Sequence, residues 1–347
     1  MDAFAGAIGV SDSEGKSTPV YSVCTPQKKD DVDPHYYAYF LRNLALTGFI
    51  ESLTKGIRER STDFRYNDFG KLLLAHPPYE EQTAIARFLD EKTSKIDEAI
   101  SIKQKQIELL KERRQILIHK AVTRGLNPDI TLKPSGVDWI GEIPEHWGVM
   151  KIKFVTMKIG SGVTPSGGAT TYLNDGVPLL RSQNIHFGRI DLSDVAFISQ
   201  RVHNSMSNSK VNKGDVLLNI TGGSIGRCHY VETDIDLNVN QHVCIVRPNS
   251  KVLPVFLNAV FASEVGQGQI WFFQQGGGRE GLNFQAIKNF YIPLPPTNEQ
   301  ESISYKIRQI SSNFDKSIRI QEQEIRALKE YKSSLINKAV TGKIKVS

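Results

Sequence analysis

At residues 77–82 the chain reads Pro77-Pro78-Tyr79-Glu80-Glu81-Gln82, and at residues 295–300 it reads Pro295-Pro296-Thr297-Asn298-Glu299-Gln300. The likeness continues without a gap, at an offset of 218 residues, to Lys120-Ala121-Val122-Thr123 and Lys338-Ala339-Val340-Thr341. An offset of 218 residues is too large for the period of a solenoid and indicates a duplicated unit of one domain plus one helix. Such a protein has pseudo-two-fold symmetry and suits a symmetric or bipartite partner.

Each repeated segment has the pattern of a long helix. A Pro-Pro pair suits the start of a helix, and the acidic residues that follow it favour the positive end of the helix dipole. Apolar residues then recur at the three-and-four spacing of a coiled-coil seam. Both seams carry polar residues at equivalent places, Lys103 with Gln321 and Arg114 with Lys332. Because each helix has a partner of matching pattern in the same chain, we expect an antiparallel intramolecular pair.

Short apolar runs separated by Gly, Asn and Asp indicate a β-rich domain before each helix. In the longer domain these runs are 177–180, 215–218, 241–246 and 290–294, and one helix is expected over 254–263. The expected fold class is therefore α+β, with mixed β-rich domains joined by two long antiparallel coiled-coil helices. The expected boundaries are 1–78 and 125–298 for the domains, and 79–124 and 299–347 for the helices.

The first domain is shorter than the second. Ala7-Ile8-Gly9 aligns with Ser224-Ile225-Gly226, and Val23-Cys24 aligns with Val243-Cys244. Residues 1–76 therefore match only the later part of the longer domain, and nothing in them corresponds to 144–217. We expect the first domain to be a partial, N-terminally truncated copy.

Composition limits the classes of function. The three cysteines, Cys24, Cys228 and Cys244, have no CxxC spacing, which argues against a disulfide framework or a zinc site and predicts a reducing cytoplasm. No stretch approaches 18 consecutive apolar residues, so we expect no membrane span and no membrane partner. The eight histidines are scattered without metal-binding spacing, and we expect neither a metal nor a cofactor.

The net charge of +6 comes from the helices. Residues 82–124 and 299–347 each contain ten Lys/Arg and six Asp/Glu. One interpretation is a pair of solvated, mixed-charge helices. The other is a pair of basic helices that lie close to a polyanion or to acidic surfaces of a partner.

Taken together, these features resemble the specificity subunit of type I restriction–modification systems. The resemblance rests on the two Pro-Pro-x-x-Glu-Gln helix starts and on Ile143-Pro144-Glu145-His146-Trp147 at the opening of the longer domain. Three further motifs support it: Gly160-Ser161-Gly162-Val163-Thr164-Pro165, Gly214-Asp215-Val216-Leu217-Leu218 and Gly222-Gly223-Ser224-Ile225-Gly226. It covers essentially the whole chain.

The resemblance implies two target-recognition domains held apart by two antiparallel spacer helices, each domain reading one half of a split double-stranded DNA site. The helices would dock modification (methyltransferase) subunits and, through them, restriction subunits, and the chain itself would be non-catalytic. Two alternatives stay open. A truncated subunit would act only as a protein–protein scaffold, or it would self-associate so that two intact domains read a symmetric site.

Two segments imitate catalytic motifs. His76-Pro77-Pro78-Tyr79 is similar to the loop with which adenine methyltransferases hold their target, but that loop needs an oxygen acceptor where this chain has His76. Residues 9–17 are similar to a phosphate-binding loop with one residue too many between the glycines. We therefore predict no catalytic residues.

Three polar clusters are candidates for DNA contacts, because Arg, Asn, Gln, Ser and Thr side chains read base edges in the major groove. The first cluster is Arg181, Ser182, Gln183 and Asn184, directly after an apolar run; the second is Thr221, Ser224 and Arg227; the third is Gln274, Gln275 and Arg279 around a glycine loop. The alternative for each cluster is a solvated turn that ends a strand.

Arg181 is the first candidate for base reading. If it reads a guanine, replacement by alanine should relax preference at one base position at a cost of about 1–3 kcal/mol. The tryptophans Trp139, Trp147 and Trp271 are expected in the core, since duplex DNA offers no free base faces unless a base is flipped.

Overall fold

The computed structural model describes residues 6–16, 23–28, 30–52, 69–274 and 281–346. These residues belong to two compact units: the first comprises Met1–Leu109 with Ser317–Ser347, and the second comprises Leu110–Lys316. The division passes through both long helices, so each unit contains a segment of each. No helix in the described ranges is long and apolar enough to cross a membrane.

The described elements begin with three helices, and runs of short strands then follow between further helices. The helices are α1 (Pro34–Leu46), α2 (Phe49–Ser52), α3 (Tyr79–Arg124), α4 (Gln200–Ser205), α5 (Pro254–Ala262), α6 (Glu264–Phe273), α7 (Phe284–Asn289) and α8 (Thr297–Val340). The strands are β1 (Leu132–Pro134), β2 (Glu142–Pro144), β3 (Gly148–Lys151), β4 (Thr156–Ser161), β5 (Val177–Leu180), β6 (Ile185–His186), β7 (Arg189–Ile190), β8 (Ala196–Ile198), β9 (Lys210–Val211), β10 (Val216–Asn219), β11 (Cys228–Tyr230), β12 (Leu237–Val239), β13 (Val243–Pro248) and β14 (Tyr291–Leu294).

Two four-stranded sheets form the frame of the second unit. One has the order β11-β10-β13-β4 and is antiparallel throughout. The other has the order β8-β5-β12-β9, and within it β5 and β12 run parallel. Because parallel strands end at the same edge of a sheet, the residues that follow β5 and β12 emerge together.

Strand β10 is buried on both faces. Val216 and Leu218 belong to the larger apolar core, which also contains Trp147 and Phe256, whereas Leu217 belongs to a smaller core on the other face. Side chains alternate between the faces of a strand, so two buried faces require a continuous apolar run. This explains why residues 215–218 show no alternation of apolar and polar residues.

The glutamine of each Pro-Pro-x-x-x-Gln segment ties the start of a long helix to the start of a shorter one. In the first unit, Gln82 Oε1 accepts a hydrogen bond from the Asp33 amide at the N-cap of α1 (2.8 Å), and its Nε2 donates to the carbonyls of Asp31 and Pro77 (3.1 and 2.8 Å). The Gln82 side chain is fully buried. A buried amide that is satisfied in this way fixes the backbone around it.

Gln300 repeats this arrangement in the second unit. Its Oε1 accepts from the Leu253 amide at the N-cap of α5 (2.8 Å), and its Nε2 donates to the carbonyls of Lys251 and Pro295 (both 2.9 Å). The two copies therefore share individual hydrogen bonds as well as sequence.

Cross-helix pairs show that α3 and α8 run antiparallel in both units. In the first unit, Lys332 Nζ donates to Asp97 (2.6 Å), and Lys103 Nζ donates to Glu324 (2.5 Å) and Gln321 (3.3 Å). In the second unit, Arg114 donates to Asp315 at 2.6 Å. The polar residues of the two seams thus find partners across the pair, which restricts its register.

The structure confirms the α+β class and the antiparallel pair of long helices. It also places Trp147 in the core, 1% exposed. The expectation is wrong for Trp139 and Trp271, which are 36% and 66% exposed. Trp139 packs over Gly268 of α6 and beside Phe272, so both exposed tryptophans are associated with that helix.

Candidate functional site

Three loops of the second unit meet at one end of its two sheets. Residues 181–184 follow β5, residues 220–227 connect β10 to β11, and residues 240–242 follow β12. We call these three segments the polar loop cluster. It contains two arginines and no carboxylate, and amides and hydroxyls supply most of its other polar side chains.

Direct hydrogen bonds join the three loops. Asn219 at the end of β10 is fully buried, and its Nδ2 donates to the Ser182 carbonyl (2.7 Å) and to Ser224 Oγ (3.1 Å). Thr221 Oγ1 lies 2.7 Å from His242 Nδ1. The first two clusters expected from the sequence are therefore parts of one site.

The loop after β5 is organised around Asp194. Asn184 Nδ2 and the Arg181 guanidinium donate to the Asp194 carbonyl, each at 3.1 Å, and Gln183 Nε2 donates to the Asp194 carboxylate at 2.8 Å. Asp194 lies in the segment before β8, which pairs with β5. The sheet thus places the residue that holds this loop.

Neighbouring side chains in this loop differ in solvent exposure and in how many of their hydrogen-bonding groups are already used. Asn184 is 2% exposed, and its amide is fully used: Oδ1 accepts from the Arg181 amide (2.9 Å) and Nδ2 donates to the carbonyls of Asp191 and Asp194. The Arg181 guanidinium lies over the Tyr172 ring, 5.9 Å from its centroid. Gln183 is exposed, and among the residues that the structure describes its side-chain amide donates one hydrogen bond, to Asp194. Gln183 is therefore the side chain of this loop that is best placed to reach a ligand.

The loop after β10 presents Thr221, Ser224 and Arg227, all half-buried. Gly222 adopts a φ of +70°, which favours glycine and allows the short 3₁₀ turn at Gly222–Ser224. The Arg227 backbone is held by Ser224 and Asn219. Its guanidinium makes no hydrogen bond or ion pair with any residue that the structure describes, so its charge is available to an anion.

The third expected cluster is described only in part. Gln274 follows α6, and its Oε1 is buried without a hydrogen-bond partner among the described residues. Gln275 and Arg279 lie outside the described residues. Gly281 pairs with Thr221, and the Leu282 amide donates to the Ile220 carbonyl (2.8 Å), so the chain beyond this cluster returns to the polar loop cluster.

Sequence reasoning missed Gln241 and His242 because it assigned them to a strand. The strand begins at Val243, and Gln241 and His242 belong to the loop, where Gln241 hydrogen-bonds with Thr164 and with His242. Their position directly after β12 was a usable signal, since the same rule identified the residues after β5. Strand β12 has three residues with an asparagine at the centre, so the sequence pattern did not mark it as a strand.

The polar loop cluster lies within a segment that matches a known family. The family model described as "Type I restriction modification DNA specificity domain" matches residues 142–330, which is more than half of the chain. The chain belongs to this family. The motifs that carried the resemblance, from Ile143 to the second long helix, lie largely inside the matched segment.

Curated relatives are specificity subunits of type I restriction enzymes. The chain is 29% identical over 282 residues to the EcoBI specificity subunit of Escherichia coli, covering 78% of this chain and 58% of that protein. It is also 29% identical over 325 residues to the MjaVIII specificity subunit of Methanocaldococcus jannaschii, covering 92% of this chain and 72% of the relative. The chain thus spans about three fifths of the length of the first of these relatives.

A solved structure supports the fold. One solved structure is described as "Structural basis underlying complex assembly and conformational transition of the type I R-M system". A chain of that structure superposes on this one with a TM-score of 0.65 at 17% identity, covering 88% of this chain and 70% of that chain. This likeness shows that the two chains share a fold.

Proposed function

We propose that this chain specifies the DNA sequence on which a type I restriction–modification complex acts. Residues 125–298 would form a target-recognition domain, residues 1–78 a partial one, and residues 79–124 and 299–347 the spacer helices. The polar loop cluster carries the proposal: it lies inside the family match, contains two arginines without a carboxylate, and offers amides and hydroxyls suited to base edges and phosphates.

Within this proposal, the side chains of the cluster have different roles. Exposed Gln183 would read a base, and half-buried Arg227, without a partner among the described residues, would neutralise a phosphate. Buried Asn184 would position the loop. Arg181, held by Tyr172 and Asp194, would both support the loop and present its remaining donors to DNA.

The partners would be double-stranded DNA and modification subunits docked along α3 and α8, with restriction subunits joining through them. The chain itself would supply no catalytic group. The ten Lys/Arg and six Asp/Glu in each repeated helix segment are consistent with surfaces that meet an acidic partner or DNA.

Genomic methylation provides the decisive test. The chain would be co-expressed with a type I modification subunit, and adenine methylation would be mapped across the host genome. We expect methylation at one defined sequence, which changes in variants of the polar loop cluster. A stable complex that leaves the genome unmethylated and binds no DNA would overturn the proposal and leave only a scaffold role.

Gln183→Ala is expected to relax sequence preference at one position of the site. Gln pairs with adenine through two hydrogen bonds in the major groove, and such a contact contributes about 1–3 kcal/mol of discrimination. Competition binding with oligonucleotides that differ at single positions would measure it. Gln200→Ala on α4, an exposed glutamine outside the cluster, is the matched control. Equal preference in both variants would contradict the assignment.

Arg227→Ala is expected to weaken binding to all sequences alike. Loss of one phosphate contact should reduce the slope of log K against log salt by about 1 without changing the preferred sequence. Titrations at several salt concentrations would measure this, with exposed Arg201→Ala on α4 as control. A change in preferred sequence would instead make Arg227 a base contact.

A further inference from the structure

The glycine-containing segment at residues 160–165 crosses the end of β12 and reaches the polar loop cluster. A Cβ built on Gly162 would overlap the carbonyl oxygen of Val239, the last residue of β12, so only glycine permits this approach. Two residues later, the Thr164 hydroxyl donates a hydrogen bond to Gln241 Oε1. The close crossing at Gly162 therefore brings Thr164 to the cluster.

The hydrogen bond from Thr164 fixes the orientation of the Gln241 side-chain amide. Because Oε1 lies toward Thr164, the amide nitrogen is the atom that faces the His242 ring, with Gln241 Nε2 3.0 Å from His242 Nε2. An amide nitrogen carries hydrogens and can only donate. His242 Nε2 must therefore accept this hydrogen bond, so it carries no hydrogen of its own.

This requirement determines which tautomer His242 adopts. In an imidazole with one hydrogen, one nitrogen donates and the other accepts. Since Nε2 accepts from Gln241, the hydrogen is on Nδ1, which donates to Thr221 Oγ1 at 2.7 Å. Three hydrogen bonds thus run in one direction, from Thr164 through Gln241 and His242 to Thr221. We call these four residues the hydroxyl chain.

Backbone hydrogen bonds hold both ends of the contact between His242 and Thr221. The His242 amide donates to Asn240 Oδ1 (3.1 Å), and the His242 carbonyl accepts from the Ile220 amide (3.0 Å). Thr221, the next residue, pairs with Gly281 in a β-bridge. The ring and the hydroxyl are therefore kept at hydrogen-bonding distance by the main chain that follows β10 and precedes β13.

The direction of the hydroxyl chain leaves the hydrogen of the Thr221 hydroxyl unused within it. A hydroxyl has one hydrogen and two lone pairs, and Thr221 uses a lone pair to accept from His242. His242 is the one hydrogen-bond partner of this hydroxyl among the residues that the structure describes, and Thr221 is half-buried. A threonine without such a neighbour can donate or accept, whereas this hydroxyl presents its hydrogen to a ligand.

We propose that the hydroxyl chain makes Thr221 a hydrogen-bond donor that selects one base of the DNA site. This inference rests on the proposed reading of DNA by the polar loop cluster. In the major groove, guanine O6 and thymine O4 are acceptors, whereas cytosine presents its N4 donor. Thr221 therefore favours guanine or thymine over cytosine at one position, and Gln241 and His242 are positioning residues that act through it.

The tautomer of His242 is measurable without DNA. Long-range ¹H–¹⁵N correlation spectra of the full chain with labelled histidine distinguish Nδ1–H from Nε2–H imidazoles, and His242→Asn identifies the signals of this ring. At about pH 8, above the ordinary titration range of histidine, the hydrogen should be on Nδ1. Gln241→Ala should shift it toward Nε2, because that nitrogen loses its donor.

Gln183→Ala is the matched control for the tautomer. Gln183 is also an exposed glutamine of the cluster, but its amide donates to Asp194 rather than to His242. Its replacement should leave the His242 spectrum unchanged. A hydrogen on Nε2 in the unmodified chain, or a tautomer that Gln241→Ala does not alter, would overturn the proposal.

Competition binding with oligonucleotides that differ at single positions tests the effect on base preference. Thr221→Val keeps the shape of the side chain and should reduce discrimination at one position about three- to tenfold, as expected for one hydrogen bond. Thr221→Ser keeps the hydroxyl and should retain the preference. Gln241→Ala should reduce discrimination at the same position, and the double variant should lose no more than Thr221→Val alone, since Gln241 acts through Thr221.

The outcomes separate this role from the proposed function. Additive losses in the double variant would overturn the role given to Gln241. Unchanged preference in Thr221→Val, together with relaxed preference in Gln183→Ala, would overturn the role of Thr221 and leave sequence reading by the cluster intact. An unmodified chain that prefers no DNA sequence would overturn the proposed function and the base selection with it, whichever tautomer His242 adopts.

Discussion

Asp215→Ala is expected to destabilise the second unit by about 3–5 kcal/mol, the range for removing one partner of a buried ion pair. The Asp215 carboxylate is fully buried and accepts two hydrogen bonds from the Arg247 guanidinium, at 2.7 and 2.8 Å. It also accepts from the Asn212 amide at 2.7 Å. Its removal would leave the Arg247 charge and a backbone amide without these partners.

The surroundings of Arg247 increase this cost. Arg247 on β13 lies opposite Lys158 on β4, so loss of Asp215 would leave two cations side by side. The hydrogen bonds that Arg247 donates to Asp215 raise the pKa of Arg247. Burial lowers the pKa of Lys158, as expected where a cation is removed from water. The Gly-Asp-Val-Leu-Leu motif therefore has a structural role.

Urea denaturation followed by tryptophan fluorescence would measure the effect, because Trp139, Trp147 and Trp271 all lie in the second unit. Asp234→Ala is the matched control: Asp234 pairs with Lys213 at 2.9 Å, but both side chains are more than half exposed. Such pairs contribute about 0–1 kcal/mol. Similar midpoints for the two variants would show that Asp215 does not hold the sheet.

Gln300→Leu is expected to cost about 3 kcal/mol or more, because three polar groups lose their partner and each buried polar group left without one costs about 1–3 kcal/mol. Leucine is similar in size but offers no hydrogen bonds, so the Leu253 amide and the carbonyls of Lys251 and Pro295 would lose theirs. The connection between the starts of α5 and α8 would loosen.

The same fluorescence assay would measure this loss, and hydrogen exchange would locate it at the Leu253 amide. Gln309→Leu, on the exposed face of α8, should stay within about 0.5 kcal/mol of the unmodified chain. Gln82→Leu should increase exchange at the Asp33 amide in the first unit and leave the Leu253 amide protected. Faster exchange at neither amide would refute the role assigned to these glutamines.

Much of the architecture could be read from local patterns. Heptad spacing predicted both long helices and their antiparallel pairing, since a seam of apolar residues must be buried against a matching one. The apolar run 177–180 coincides with β5, and the helix expected over 254–263 is α5. The boundaries of β10 and β13 differ by one or two residues, because a strand buried on both faces shows no alternation that marks its ends.

The candidate site could be predicted only in part. The sequence named the cluster at 181–184 and the cluster of Thr221, Ser224 and Arg227 separately, and only the hydrogen bonds of the structure join these loops. The sequence could not show that Asn184 is buried while adjacent Gln183 is exposed, because successive residues of a short turn point in different directions. The DNA contacts of Arg181, Ser182, Gln183, Asn184, Thr221, Ser224, Arg227, Gln274 and Arg279 stay predictions.

The sequence by itself determined the duplication, the long helices and the glutamine that begins each of them, because periodic and repeated patterns depend on residues near one another in the chain. Only the tertiary structure decided which copies of a motif have a partner. Glu299 and Glu81 occupy equivalent positions, yet one carboxylate binds Trp147 and the other makes no hydrogen bond with any residue that the structure describes. That difference arises from residues more than 150 positions away, which only folding brings into contact.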